Sequence, residues 1–204
     1  MIPQTAKVSA ILLAAGESRR MGAANKLFLE VGGKSMIQTT LDALSESPVA
    51  EIIVVSNPEN DARFDDSIRA KFHIVINPDF QRGMTTSIQT GIANAREDAE
   101  GYMICMSDQP FLSSAEYASL IEGFSAAISA DPSCILVPVY LEEKGNPVIF
   151  SSKYREEILA HPKMEGCKEI LQKNRAHVVR QAMQTNAILR DIDTPEDYSL
   201  VDHR

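Results

Sequence analysis

An α/β fold with a mostly parallel sheet is predicted, and three observations predict it. Short apolar runs alternate with segments whose apolar residues recur at helical spacing, the order that builds strand–helix–strand units. The two loops richest in chemistry-bearing residues, 14–26 and 107–110, each follow such a run directly, where ligands bind in parallel sheets. A chain of 204 residues is enough for one sizeable domain and short for two, so 1–204 is read as a single three-layer α/β/α domain.

The elements follow in order. Val8, Ala10, Ile11, Leu12 and Leu13 form a buried strand that breaks at Gly16. Gly32-Gly33-Lys34 is a turn, and Ser35 caps a helix to about residue 44 with Met36, Ile37, Thr40, Leu41 and Leu44 on one face. EIIVV from Glu51 is a strand closed by Asn57-Pro58, followed by a weaker helix over 59–69. HIVI from His73 is a strand, and 84–96 is a helix with Ile88, Ile92 and Ala95 on one side. YMICM from Tyr102 is a strand cut off by Ser107-Asp108-Gln109-Pro110. Ser113 and Glu116 then stand at capping-box spacing for a helix to about 129. A strand over 134–140 ends the regular alternation. A turn over 142–145 precedes a strand over 146–150, expected antiparallel or in a small side sheet. Segments 152–159 and 166–173 read as helical, 178–183 as a strand and 188–193 as irregular or strand-like. Thr194-Pro195 opens a last helix with proline in its first turn.

Composition narrows the function. The net charge of −8 argues against nucleic acid, which selects basic surfaces. No apolar run reaches the ~20 residues of a membrane span, and the N-terminus lacks the pattern of a signal peptide, so a cytoplasmic protein with no membrane partner is expected. Three scattered cysteines, Cys105, Cys134 and Cys167, form neither a disulfide framework nor a zinc motif.

Within this acidic chain, Arg19, Arg20 and Lys26 gather in one glycine-containing turn after a strand. That setting suits a polyphosphate, although a solvated basic loop has the same composition. The turn is neither a GxxxxGK[ST] loop nor a GxGxxG fingerprint. Asp108, at the carboxyl end of a strand, is placed either to hold Mg²⁺ with substrate phosphates or to cap the turn before Pro110. Asp191 and Asp193, two residues apart, would share one face of an extended segment, which suits a divalent ion; Asp193 or Thr194 could equally cap the helix that follows.

The order LAAGESRRMG from Leu13, followed by Asn25-Lys26, resembles the LAAGxGxRMG…K signature of nucleotidyltransferases. Within them the nearest likeness is to the molybdenum cofactor cytidylyltransferase group of the molybdopterin nucleotidyltransferase-like family. SDQP at 107–110, GMTTS at 83–87, Gly145-Asn146-Pro147 and DIDTPED at 191–197 resemble its later motifs. The resemblance implies a Rossmann-like nucleotidyltransferase sheet and Mg²⁺-dependent transfer of CMP from CTP to a phosphorylated acceptor, molybdopterin, releasing pyrophosphate. It assigns Arg20, Lys26 and Asp108 to catalysis. Leu13, Ala14, Ala15, Gly16, Glu17, Ser18, Arg19, Gly83, Ser87 and Ser107 fall to the nucleotide; Gln109, Pro110, Gly145, Asn146 and Pro147 fall to the acceptor. Asp108 and Asp191 would hold the metal, with Asp193 in reserve. Ala15 stands where guanine-using relatives carry glycine; its methyl would narrow the base pocket toward a pyrimidine. The group's GDxG is KMEG here, at 163–166, which bears on the acceptor. GTP as donor and methylerythritol phosphate as acceptor are the alternatives of the same chemistry, and a non-catalytic cofactor carrier is the alternative of another class. A molybdenum hydroxylase apoenzyme is the partner the resemblance implies.

Overall fold

The computed structural model describes residues 5–18, 21 and 25–201. Strand β1 (Val8–Ala14) is buried along its whole length, because both of its faces are covered. Lys26–Phe28 is a turn of 3₁₀ helix, and β2 (Glu30–Val31) and β3 (Lys34–Ser35) form a separate two-stranded hairpin. Its turn holds Gly32 and Gly33 at φ 64° and 83°, the left-handed pair that a tight hairpin requires. Helix α1 (Met36–Ser45) starts where Ser35 accepts a hydrogen bond from the Gln38 amide.

Strand β4 (Glu51–Ser56) leads into α2 (Pro58–Asp61) and α3 (Asp66–Lys71). The single helix expected over 59–69 is thus two, because Asn57 and Asp65 each cap a separate start. Strand β5 (His73–Ile76), a 3₁₀ turn over Phe80–Arg82, α4 (Met84–Ala93), β6 (Gly101–Met106) and α5 (Ser114–Ala130) follow. Ser113 and Glu116 form the capping box at the start of α5. The last third contains β7 (Ile135–Tyr140), β8 (Glu143–Lys144), β9 (Val148–Ser151), α6 (Arg155–Leu159), α7 (Lys168–Lys173), β10 (Val178–Ala182) and α8 (Pro195–Ser199). Residues Ala187–Leu189 are a 3₁₀ turn that overlaps the start of 188–193, the stretch expected to be irregular or strand-like.

The main sheet runs β10-β7-β9-β6-β1-β4-β5, with β8 on β7. Neighbours are parallel except at β9, which is antiparallel to both β6 and β7, and at β8. The expected antiparallel strand therefore lies inside the main sheet, and the separate small sheet is the hairpin near residue 33. One face packs Leu12, Val54, Met103 and Cys105 against α1 and α5 through Leu41, Leu44, Leu120 and Phe124. The other packs Ile11, Ile53, Val55 and Ile104 against Ile88, Ile92, Ile158 and Ile170 of α4, α6 and α7. A Cβ at Gly91 would run into Ile11, so the glycine lets α4 lie close on β1. Among the described residues no helix is long and apolar enough to cross a membrane.

Candidate active site

The carboxyl ends of β1 and β6, with the segment from Phe80 to Ser87 that follows β5, line one cleft. The chain leaving β1 is held by side chains of the neighbouring strand ends. Asn57 Nδ2 donates to the Ala15 carbonyl at 2.9 Å, and Asn60 Nδ2 donates to the carbonyls of Ala14 (2.7 Å) and Gly16 (3.2 Å). Ser107 Oγ, from the end of β6, donates to the Leu13 carbonyl at 2.6 Å. These bonds use the carbonyls of residues 13–16. Ser18, at φ 52°, turns the chain back, and its Oγ accepts from the Lys26 amide at 3.2 Å. Asn25 caps the 3₁₀ turn and donates to Asn60 Oδ1 at 2.5 Å, so residue 26 is tied to the same frame.

That frame aims Lys26 at two carboxylates. Its Nζ donates to Asp108 Oδ2 and to Asp193 Oδ1, both at 2.6 Å. The lysine side chain is 15 % exposed and the Asp108 side chain 11 %. Burial works to lower the Lys26 pKa, but Asp108 and Asp193 outweigh it and raise the value, so the lysine stays cationic. Ile192 brings the C-terminal segment to this point by donating its amide to the Asp108 carbonyl at 3.0 Å. Asp191, on the same segment, has its pKa raised by desolvation, with Asp193 and Asp108 adding to the rise. Three carboxyl groups therefore share one field.

The residues present fit a divalent cation. Asp108 Oδ1 is buried without a hydrogen-bond partner while Oδ2 faces Lys26. An orphaned carboxylate oxygen is costly unless something positive completes it. Among the described residues no group of three or more His, Cys, Asp or Glu side chains is already assembled for a metal. One or two carboxylates completed by substrate phosphates is the ordinary arrangement for Mg²⁺.

The cleft of about 220 Å³ is lined by Leu13, Ala15, Gly16, Ser18, Lys26, Gly83, Ser87, Ser107 and Asp108, among others. A second opening of about 390 Å³ runs past Glu17, Gln81 and Asp193. Ala14 is buried in the core behind the cleft. Gly83 has φ 131°, and a Cβ there would lie 2.6 Å from the Met164 carbonyl oxygen. Ser87 Oγ accepts from Asn77 Nδ2 at 3.0 Å. Of the residues assigned to the acceptor, Gly145 and Asn146 line a neighbouring groove. Pro147 follows Asn146 through a cis peptide bond. Gln109 and Pro110 are buried, with Gln109 Nε2 donating to the Ile188 carbonyl at 3.2 Å. Asp193, the reserve position, is the carboxylate that meets Lys26, and Asp191 stands exposed beside it. Arg19 and Arg20 lie outside the described residues.

Sequence reasoning missed Asn57, Asn60 and Asn77. Asn57 and Asn77 read as turn formers before proline, yet their amides hold the cleft together. The available signal was an amide side chain at the end of each of two adjacent parallel strands, where binding loops sit.

The model of one family, described as the MobA-like NTP transferase domain, matches residues 10–179. The chain belongs to that family. The match takes in Lys26, Asp108 and the 145–147 loop, and stops short of Asp191 and Asp193. The purine catabolism protein PucB of Bacillus subtilis is 29 % identical over 203 residues, covering 94 % of each chain. A molybdenum cofactor guanylyltransferase of Vibrio atlanticus is 34 % identical over 133 residues, 64 % of this chain and 61 % of that one. In shape, the chain is similar to Rv0371c of Mycobacterium tuberculosis, with TM-score 0.80, 23 % identity and coverage of 98 % and 100 %. It is likewise similar to the manganese complex of that protein, with TM-score 0.77, 21 % identity and coverage of 97 % and 98 %. The nucleotidyltransferase family membership and the α/β fold therefore stand on independent comparisons.

Proposed function

We propose that this protein transfers CMP from CTP to the phosphate of molybdopterin-type cofactor, releasing pyrophosphate. The observation that carries the reading is Lys26 held between Asp108 and Asp193 at the mouth of a cleft built by strand ends. An ionised phosphate oxygen of the acceptor attacks the α-phosphorus. The new P–O bond forms as the bond to the β-phosphate oxygen breaks, and the electron pair leaves on pyrophosphate. No side chain has to remove a proton, because the nucleophile is already an anion.

Asp108, with Asp191 or Asp193, would hold Mg²⁺, which supplies charge neutralisation for the triphosphate. Lys26 turns from the carboxylates to the phosphates and stabilises the charge that develops on the α-phosphate and the leaving group. Backbone amides over 15–18 would cradle the phosphates, while the carbonyls of 13–16 are held by Ser107 on one flank and by Asn57 and Asn60 on the other. Arg19 and Arg20 add charge from the same turn. Gly83 and Ser87 lie against the base, and the methyl of Ala15, 4 % exposed in the cleft wall, favours the smaller pyrimidine.

A second reading keeps the chemistry and takes GTP; the guanylyltransferase relative supports it. Pyrophosphate release from CTP, GTP, ATP and UTP with Mg²⁺, with and without molybdenum cofactor, tests both. Cofactor-dependent release from CTP is expected. Release from GTP instead transfers the assignment to the second reading. Cofactor binding without release from any nucleotide would make the protein a carrier, for which a metal–triphosphate site has no use.

A further inference from the structure

Beyond the reaction cleft, a groove crosses the sheet face on which α7 packs. Asn146, Val148, Lys168 and Leu171 join it to an apolar pocket of about 200 Å³ floored by Ile88, Ile104 and Phe150. Met84 and Met106 form the partition between that pocket and the nucleotide cleft. The groove itself is larger, about 620 Å³, and its floor is Val137, Val148, Leu171 and Val178. Its rim carries Lys144, Lys168, Arg175 and Arg180, all exposed, in a chain whose net charge is −8. Arg180 reaches the exposed Glu142 at 3.4 Å. Lys144, Lys168 and Arg175 form no ion pair among the described residues, although acidic side chains are abundant over the whole surface. Glu165, at the apolar end, is the acidic group on the path between the two.

We propose that the acceptor is an elongated molecule with a second anionic group, seated in this groove against Lys168, Arg175 and Lys144 while its phosphate reaches Asp108. The inference rests on the transferase reading and adds to it the chemical class of the acceptor's far end. An apolar middle section would pass Met84 and Ile104, and the cationic rim would hold the anion beyond it. A short acceptor with one phosphate and no distal charge would leave the rim unused.

The test uses 8-anilinonaphthalene-1-sulfonate, an apolar double ring with one sulfonate, as a fluorescent probe of the full chain. The double variant Lys168→Glu/Arg175→Glu changes exposed side chains and is checked for folding by circular dichroism. Wild type is expected to bind the probe with Mg²⁺–CTP present at saturation, and the variant to bind it at least about tenfold more weakly, about 1.4 kcal/mol. Equal affinity in the two proteins, or displacement of the probe by the nucleotide, overturns the proposal. In the transfer assay the same variant should raise the acceptor KM about tenfold and leave the nucleotide KM unchanged; an unchanged acceptor KM overturns the proposal. Absence of transfer by wild type is a failure of the transferase reading, which the probe measurement does not share.

Discussion

The two halves of the cleft are built by different means. The half we assign to the nucleotide stands on four adjacent parallel strands; buried Asn57, Asn60 and Ser107 tie down the loop after β1, and Asn77 holds the start of α4. The half we assign to the acceptor stands on the antiparallel insertion of β9 between β6 and β7, and its wall is a short helix with exposed cations. In the first, satisfied hydrogen bonds fix the backbone to within narrow limits, which suits a triphosphate that must be held in line. In the second, as proposed, an apolar floor and an exposed charged rim would admit one class of acceptor, and surface substitution would change that class. On these assignments, chemistry and acceptor choice should be separable by substitution.

The largest expected effect lies in the first half. Asp108→Ala and Lys26→Ala should each reduce turnover by about 10²–10³ with folding intact, the usual cost of removing a preorganised charge. Steady-state pyrophosphate release measures it, and wild-type turnover in either variant would remove the assigned role. Asn60→Ala strips a hydrogen bond from the buried Ala14 carbonyl and a longer one from the exposed Gly16 carbonyl. It should cost about 1–3 kcal/mol in urea unfolding and raise the nucleotide KM about tenfold with the acceptor KM unchanged. An equal rise in both constants would erase the separation of the halves.

Ala15→Gly should widen the base pocket and shift the CTP-to-GTP ratio of kcat/KM toward GTP by up to about tenfold, the scale of one methyl in a pocket. An unchanged ratio would place the base contact elsewhere. The smallest effect concerns the thiols, which take no part in the proposed chemistry. Burial pushes the Cys134 thiol up to about 11 and the Cys167 thiol up to about 12, from 9.0. Above pH ~9 the unfolded chain ionises while the native one does not, so stability should fall from pH 9 toward those values. The urea midpoint followed from pH 8 to 11 measures this, and native thiols should resist iodoacetamide at pH 8. Rapid native labelling of Cys134 would contradict its burial.

Much of the first half was legible in the sequence because its signals are local. An apolar run ending in a glycine-containing turn marked β1 and its loop, and Ser35 and Ser113 marked helix starts by capping chemistry that needs three residues of context. The second half depends on contacts far apart in the chain. Nothing near Val148 states that β9 enters the main sheet between β6 and β7, and nothing near Asp193 states that it lies beside Lys26. Spacing placed Asp191 and Asp193 on one face, and only the fold decides which of them meets the lysine. Lys144, Lys168, Arg175 and Arg180 likewise come from three separate elements and the loop after α7, and no sequence pattern links them.

As proposed, Asp108 and the triphosphate together complete a cation site whose free form is held by Lys26. Mn²⁺ titration followed by the loss of its free electron-spin-resonance signal tests this directly, in wild type and Asp108→Ala, with and without CTP. Tight binding that requires both the nucleotide and Asp108 is the predicted result. Binding that is equally tight without nucleotide, or equally tight in Asp108→Ala and wild type with CTP present, would contradict it.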